Sequence, residues 1–256
     1  MSLTITDELD RVDEAFAGNR LLSTFSAEAR ALIEPSGEIV ALDVGEVLHP
    51  SGADVEATYF PYGPAMVALV VDMSGGRTIE TASIGHEGAV GGIVSCGRAP
   101  AFARAQVLVG GPALRVSMSA LEEAKGRSGH IRNLFCRFSD YLLAQVMQSA
   151  ACNAFHTIEQ RAARWLLTAQ DRAGNRIELT QEAFAGLLGV QRTTVNAVVR
   201  ILQDEGLITT RRGAIQVADR AGLKRRACEC YEAVARHFAE AIGDTGMGAT
   251  KSDDCD

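Results

Sequence analysis

No stretch of the sequence approaches the roughly 20 consecutive apolar residues that a membrane-crossing helix needs, so a membrane partner is not expected. There is no C-x-x-C pair, although six cysteines stand at Cys96, Cys136, Cys152, Cys228, Cys230 and Cys255. Cys228-Glu229-Cys230 is too tightly spaced for a zinc knuckle, so no metal is expected, and packed reduced thiols are the reading for Cys152 and the 228/230 pair. H-x-H, the usual opening of a metal site in a small β-barrel enzyme, is missing, and so is the nucleophile pattern G-x-S-x-G. The first eight residues, MSLTITDE, have neither the basic nor the apolar region of a signal peptide, which leaves the cytoplasm as the expected location.

What is present is 256 residues, 47% of them apolar and 22% charged, enough for one large or two small domains with real cores. The net charge of −7 argues against coating nucleic acid by bulk charge. Residues 156–226 nevertheless hold twelve basic and seven acidic side chains, so a positive segment is set in an otherwise acidic chain. That pattern suits a single DNA-facing module.

Along the chain, residues 19–33 carry Leu21, Leu22, Phe25, Ala29 and Leu32 at helical spacing. Between Gly37 and Ser117 the stretches EIVAL, ATYFPY, MVALVVDM, RTIETASI, RAQVLV and ALRVS are strand-like and separated by turn residues, with a hairpin at DMSGGRTIE. Such spacing predicts a jelly-roll-like sandwich. Residues 131–155 contain no Gly or Pro, and Ile131, Leu134, Phe138 and Leu142 form an apolar stripe. So apolar a helix must lie on the β-domain, on its own copy, or on both. A second helix is expected over 157–172, and a disordered tail over 243–256.

The segment LTQEAFAGLLGVQRTTVNAVVRILQDEGLI (179–208) contains two short helical periods around Gly189. Thr180 suits the N-cap of the first, with Leu179 stapled on Phe184, and Gln191 suits the N-cap of the second. Val195, Val198, Val199 and Leu202 make the buried stripe of the second helix, and Gly206 closes it. Arg192, Thr193, Asn196 and Ala197 are left facing outward at its start, where a helix-turn-helix meets base edges. Thr180, Gln181, Gln191, Thr194 and Arg200 are placed to meet the phosphate backbone, as are Arg211 and Arg212 at the tip of a following hairpin wing.

This segment, with its arginine-tipped hairpin and the following DRAGLKRRACECY, resembles the C-terminal domain of Crp/Fnr-type bacterial transcription regulators. LLAQVMQSAACNAFHTIEQRAARWLL is similar to the junction between dimerisation helix and DNA-binding domain in one branch of that family. NRLLSTFSAEAR and IETASIGHEGAVGG are similar to its effector domain. The resemblance covers about residues 19–240 and implies an α+β chain. It places a β-roll of cyclic-nucleotide-binding type at 19–130, a dimerisation helix at 131–155 and a winged helix-turn-helix at 156–240. Ile131, Leu134, Phe138 and Leu142 become the expected dimer interface. The implied partners are double-stranded DNA with a palindromic operator, a second copy of the chain, RNA polymerase and a small-molecule effector.

Two departures modify these implications. Where cyclic-nucleotide-binding members carry Gly-Glu and Arg followed by a small residue, this chain has Gly91-Gly92 and Ala101-Phe102, with Arg104 out of step. An uncompensated phosphate is costly in a closed pocket, so cyclic AMP is not the expected ligand. The expected pocket comprises Gly85, His86, Glu87, Gly91, Gly92 and Arg104, with Phe138 or Tyr141 from the long helix, and the cofactor is unknown. A regulator with no small ligand differs only there. Thr193 and Ala197 replace the Glu and Arg common among relatives, so a different operator is expected. Haem would need an axial ligand, for which His49, His86 and His130 are undistinguished by spacing. The alternative from another class, a cupin-like β-roll metalloenzyme with an appended helical domain, lacks the ligand pattern noted above.

Overall fold

Turn residues divide the first half of the chain into short strands, and every pairing among them is antiparallel. The computed structural model describes residues 5–92 and 100–243, with side chains from Asp10 onward. Two helices come first: α1 (Ile5–Gly18), and α2 (Ala27–Ile33), whose N-cap Ser26 accepts a hydrogen bond from Ala29 N at 3.2 Å. Strands β1 (Gly37–Leu42), β2 (Val47–His49), β3 (Ala57–Pro61), β4 (Met66–Asp72), β5 (Thr78–Ile84), β6 (Arg104–Val109) and β7 (Gly111–Ser117) follow. They form two sheets, ordered β1-β7-β3 and β2-β6-β4-β5. All six predicted strands are present, and β4 pairs with β5 across the Gly75-Gly76 turn, Asp72 opposite Thr78. The sequence reading missed β2, only three residues long, and also α1, which brings Val12, Ala15 and Phe16 into the core.

Strand β4 explains its own unbroken apolar sequence. Side chains alternate across a strand, and both sides of this one are covered. Val67 faces the interior of the roll with Phe60, Ile84, Val107 and Leu114. Met66, Ala68 and Val70 join a second core made with the C-terminal half of the chain.

After β7, α3 (Met118–Arg127) is capped by Ser117 and leads to α4 (Gly129–Phe155), capped by Ser128. Helix α4 packs along the roll, and here one expectation is corrected. Ile131, Leu134 and Phe138 are 0% exposed and Leu142 9%, all within the chain's own core. The stripe is apolar because it covers the roll, so it is not a surface between two chains. Phe138 fits only because residue 88 is glycine: a Cβ there would lie 2.0 Å from its ring.

Helix α5 (Ile158–Ala173) starts at a capping box formed by Thr157 and Gln160. Next come β8 (Arg176–Ile177), α6 (Gln181–Leu188), α7 (Arg192–Asp204), β9 (Ile208–Arg211), β10 (Ala214–Val217), α8 (Arg220–Arg226) and α9 (Cys230–Ala241). Trp165, Leu166, Phe184, Leu188, Val195, Val199, Leu202 and Ile215 build the second core. Helix α9 is shared between the two cores, its Tyr231 packing against the second. Its Phe238, with Ile242 just beyond, joins the first core, the Phe238 ring 4.9 Å from that of Tyr141 on α4. The expected tail lies, from residue 244, outside the described residues, as do Cys96 and Cys255.

Candidate functional site

The helix-turn-helix forms for the local reasons its sequence suggests. Thr180 Oγ1 accepts from Ala183 N at 3.1 Å and so caps α6. Gly189 ends it in the left-handed region, φ 67°, and Val190 N then donates to Ala185 O at 3.0 Å. Burial of Val195, Val198, Val199 and Leu202 fixes the rotation of α7. As a result Arg192, Thr193, Asn196, Ala197 and Arg200 are exposed, while Thr194 is half-buried. Arg192 has only a loose, exposed ion pair with Glu182 at 3.7 Å. Exposed pairs of this kind are worth about 0–1 kcal/mol, so the guanidinium is free to exchange partners.

The wing is also in place. Strands β9 and β10 pair with Arg211 opposite Ala214, and Arg211 and Arg212 are exposed at the turn that Gly213 makes with φ 74°. The short strand β8 adds a third strand beside β10. Gln181 and Gln191 lie at the starts of α6 and α7, beside the same surface.

The expected effector residues are not gathered in one place. His86 and Glu87 line a cavity of about 330 Å³ with Arg20, Tyr141, Arg164 and Arg172. Gly85 lies next to it, and a Cβ there would meet the Arg172 side chain at 2.8 Å. Phe138 packs over Gly88 instead of lining the cavity, so of the two aromatic candidates it is Tyr141 that faces it. Gly91 and Gly92 are elsewhere: both have positive φ, Gly91 against His49 and Gly92 accepting from Lys125 Nζ at 2.7 Å. They form a structural corner, where the backbone approach excludes any side chain. Arg104 is held by Asp72 at 3.0 Å on the outer face of the roll, in an open groove that also reaches Arg192. Phe102 is exposed, and residues 93–99 of the expected cassette lie outside the described residues. The three candidate haem ligands stand in separate settings: His86 on the cavity, His49 buried near the Tyr59 ring, and His130 engaged with Thr24 O at 3.0 Å.

Beside the cavity is a buried polar network that sequence reading missed. Arg172 of α5 donates from Nε to Glu87 Oε1 at 2.9 Å, from Nη1 to Ser83 Oγ at 3.1 Å and from Nη2 to Ser83 O at 3.0 Å. Glu87 Oε2 accepts from Gly85 N at 3.1 Å. Gln145 of α4 accepts from Ser83 N at 2.8 Å and donates to Tyr141 Oη at 3.1 Å. The sheet, the long helix and the helix-turn-helix domain thus meet in one set of hydrogen bonds. Burial alone would raise the Glu87 carboxyl, but the charge and hydrogen bonds of Arg172 outweigh it and hold it below the usual carboxylate range. Burial pushes the Tyr141 phenol up to about 12 and keeps it neutral. A second link is Trp165 Nε1 donating to Glu80 Oε2 at 2.7 Å, and burial raises that carboxyl despite the bond.

The chain thus combines a β-roll, a long helix and a winged helix-turn-helix whose second helix is exposed along one face. Residues 160–226 match the family of Crp-like helix-turn-helix domains. A solved structure from Eubacterium rectale, described as that of a putative transcriptional regulator of the Crp/Fnr family, is 19% identical with a TM-score of 0.64. It covers 80% of this chain and 96% of its own. FixK2 from Bradyrhizobium japonicum is 18% identical with a TM-score of 0.63, covering 75% and 98%. A CRP-family transcriptional regulator from Thermus thermophilus is 19% identical with a TM-score of 0.61, covering 73% and 96%. A comparison with curated protein sequences finds no match. The chain thus carries a Crp-like helix-turn-helix DNA-binding domain on the fold of Crp/Fnr-type transcriptional regulators. No helix among the described residues is long and apolar enough to cross a membrane.

Proposed function

We propose that the chain is a sequence-specific, DNA-binding transcriptional regulator that acts in the cytoplasm as a homodimer. The observation that carries this reading is the outward face of α7, where Arg192, Thr193, Asn196 and Ala197 are exposed together beside an arginine-tipped wing. Arg192 is suited to guanine, Asn196 to adenine and Thr193 to a thymine methyl or a hydroxyl contact. Thr180, Gln181, Gln191, Thr194, Arg200, Arg211 and Arg212 supply backbone contacts that set register.

With the inner stripe of α4 committed to the roll, a second copy has to meet the other side. Cys136, Asp140, Leu143, Met147, Ala150 and Ala154 are exposed at alternating four- and three-residue spacing, with Leu143 56% and Met147 58% exposed. That is a coiled-coil seam, and its small residues lie toward the DNA-binding end. The two-fold axis it creates sets two α7 helices on half-sites of a palindrome.

Effector control is assigned to the cavity bounded by His86, Glu87, Tyr141 and Arg172, because its wall is the polar network joining sheet, α4 and α5. A ligand that disturbs one member shifts the others, and with them the tilt of the α5–α7 unit. A supporting point for a non-enzymatic role is that the grouped candidate metal ligands among the described residues lie outside the roll. A cupin-like site would place them inside.

The test is selection of binders from random DNA duplexes by the full-length protein. Enrichment of a two-fold-symmetric site is expected. Salt-sensitive binding without enrichment, with and without cell-extract metabolites, would contradict base reading.

A further inference from the structure

Four side chains with metal-ligating atoms converge where α4 ends and α5 begins. Cys152 lies in the last turn of α4, His156 is its C-cap, and Cys228 and Cys230 lie at the start of α9. The pair 228/230 looks too close in sequence to serve one ion. The chain folds back over Glu229, however, with Tyr231 N donating to Cys228 O at 3.3 Å. Cys152 and His156, four residues apart, share a helix face as i and i+4 positions do. The four ligand atoms all lie within 4.8 Å of one another, with Cys152 Sγ 3.5 Å from Cys228 Sγ and Cys230 Sγ 3.4 Å from His156 Nδ1.

We propose that Cys152, His156, Cys228 and Cys230 form a structural zinc site. A tetrahedral ion with Zn–S bonds of ~2.3 Å spaces its sulfurs at ~3.8 Å, close to the separation found here. An iron–sulfur cubane puts each thiolate on its own iron and spreads the sulfurs much further apart, so a single ion fits this arrangement better. Three cysteines and one histidine fill all four positions, which is the closed set of a structural site and leaves none for a substrate.

The surroundings complete the coordination. His156 Nε2 stands 3.2 Å from Glu229 Oε1, so a neutral ring that donates there turns the Nδ1 lone pair toward the thiols. Such a carboxylate–histidine pairing is the usual outer partner of a zinc ligand. Gln148 Nε2 donates to Cys230 Sγ at 3.0 Å, which suits a thiolate. Zinc with three thiolates carries one net negative charge, and Arg161 and Arg164 stand within electrostatic range of Cys152. The Nε atoms of both arginines are buried and have no hydrogen-bond partner among the described residues. On binding, the three thiols lose their protons to solvent and nothing is oxidised or reduced. The ion ties the hinge between α4 and the DNA-binding domain to the C-terminal helix.

The test uses full-length protein purified under reducing conditions, with zinc and iron measured by mass spectrometry. About one zinc per chain is expected in wild type, and less than a tenth of that in Cys228→Ser. Because that variant can fail to fold, metal-free wild type is also titrated with cobalt(II). The intense visible bands of tetrahedral thiolate–cobalt should appear at one equivalent, vanish when zinc is added, and accompany a rise in Tm. Folded wild type that takes up neither ion, cobalt bands of octahedral type, iron in place of zinc, or full zinc loading of folded Cys228→Ser would each overturn the assignment.

Discussion

Arg172→Leu is expected to lower the stability of the folded chain by about 3–5 kcal/mol, the usual cost of removing one partner from a buried ion pair. The Arg172 and Glu87 side chains are 7% and 9% exposed, so the substitution leaves a carboxylate in the interior with backbone amides in place of its charged partner. The same change strips Ser83 of two donors and weakens the link between α5 and the roll. Urea unfolding followed through Trp165, the single tryptophan and itself bonded to Glu80 across that link, reads the effect directly. Pairing Arg172→Leu with Glu87→Leu should restore most of the loss, since an apolar pair leaves no unpaired charge. The pH dependence has a definite sign. In wild type the Glu87 pKa is depressed from its ordinary 4.5, so its contribution is complete above that value and fades as pH falls through the lowered one. In Arg172→Leu burial is uncompensated and raises the same carboxyl, so acid relieves its cost. The stability gap between the two proteins should therefore narrow as pH falls below neutrality. A loss under ~1 kcal/mol at pH 7 would show that the network is not a structural junction.

Met147→Glu should convert the protein to a monomer and reduce its affinity for a palindromic duplex by about 100-fold or more. Bivalent engagement, in which the second half-site is met at high effective concentration, is lost when the two chains separate. Met147 is 58% exposed in the single chain, so a carboxylate there remains hydrated in the monomer and its folding is undisturbed. In a coiled-coil seam two such charges would face each other across the axis without water. Leu134→Glu gives the contrast: it lies in the roll's own core and should unfold the chain instead of merely separating two copies. Sedimentation of Met147→Glu as an unchanged dimer would place the two-fold contact elsewhere.

These two positions mark where the sequence was readable and where it was not. The helix-turn-helix was legible almost residue by residue, because its caps, its Gly189 turn and the stripe of α7 are local features set by neighbours in sequence. Helix α4 was legible as a helix, but it has apolar side chains on two faces. Periodicity reports that a face is buried without naming what buries it, so it does not separate a stripe covering the roll from one between chains. The signal for Arg172 was present as a charge following Ala169 on the buried side of α5. Its partner Glu87, 85 residues away, depends on tertiary folding. The cysteine pair is half legible for the same reason: Cys228 and Cys230 are buried free thiols, as their apolar context predicts, but their meeting with Cys152 and His156 depends on another helix. Gly91 and Gly92, similar by position to a ligand cassette, are required by their positive φ and by the close approach of the His49 and Thr58 side chains and of Ala57 O.

The central claim is that the start of α7 reads bases while the wing holds the backbone. It is tested most directly by measuring Arg192→Ala and Arg211→Ala on the selected duplex and on a scrambled one, at a single salt concentration. Arg192→Ala should lose about 1–3 kcal/mol on the selected duplex and little on the scrambled one, with relaxed preference at one base pair in each half-site. Arg211→Ala should weaken both duplexes equally. An equal loss on the two duplexes for Arg192→Ala would contradict the assignment of that face to sequence recognition.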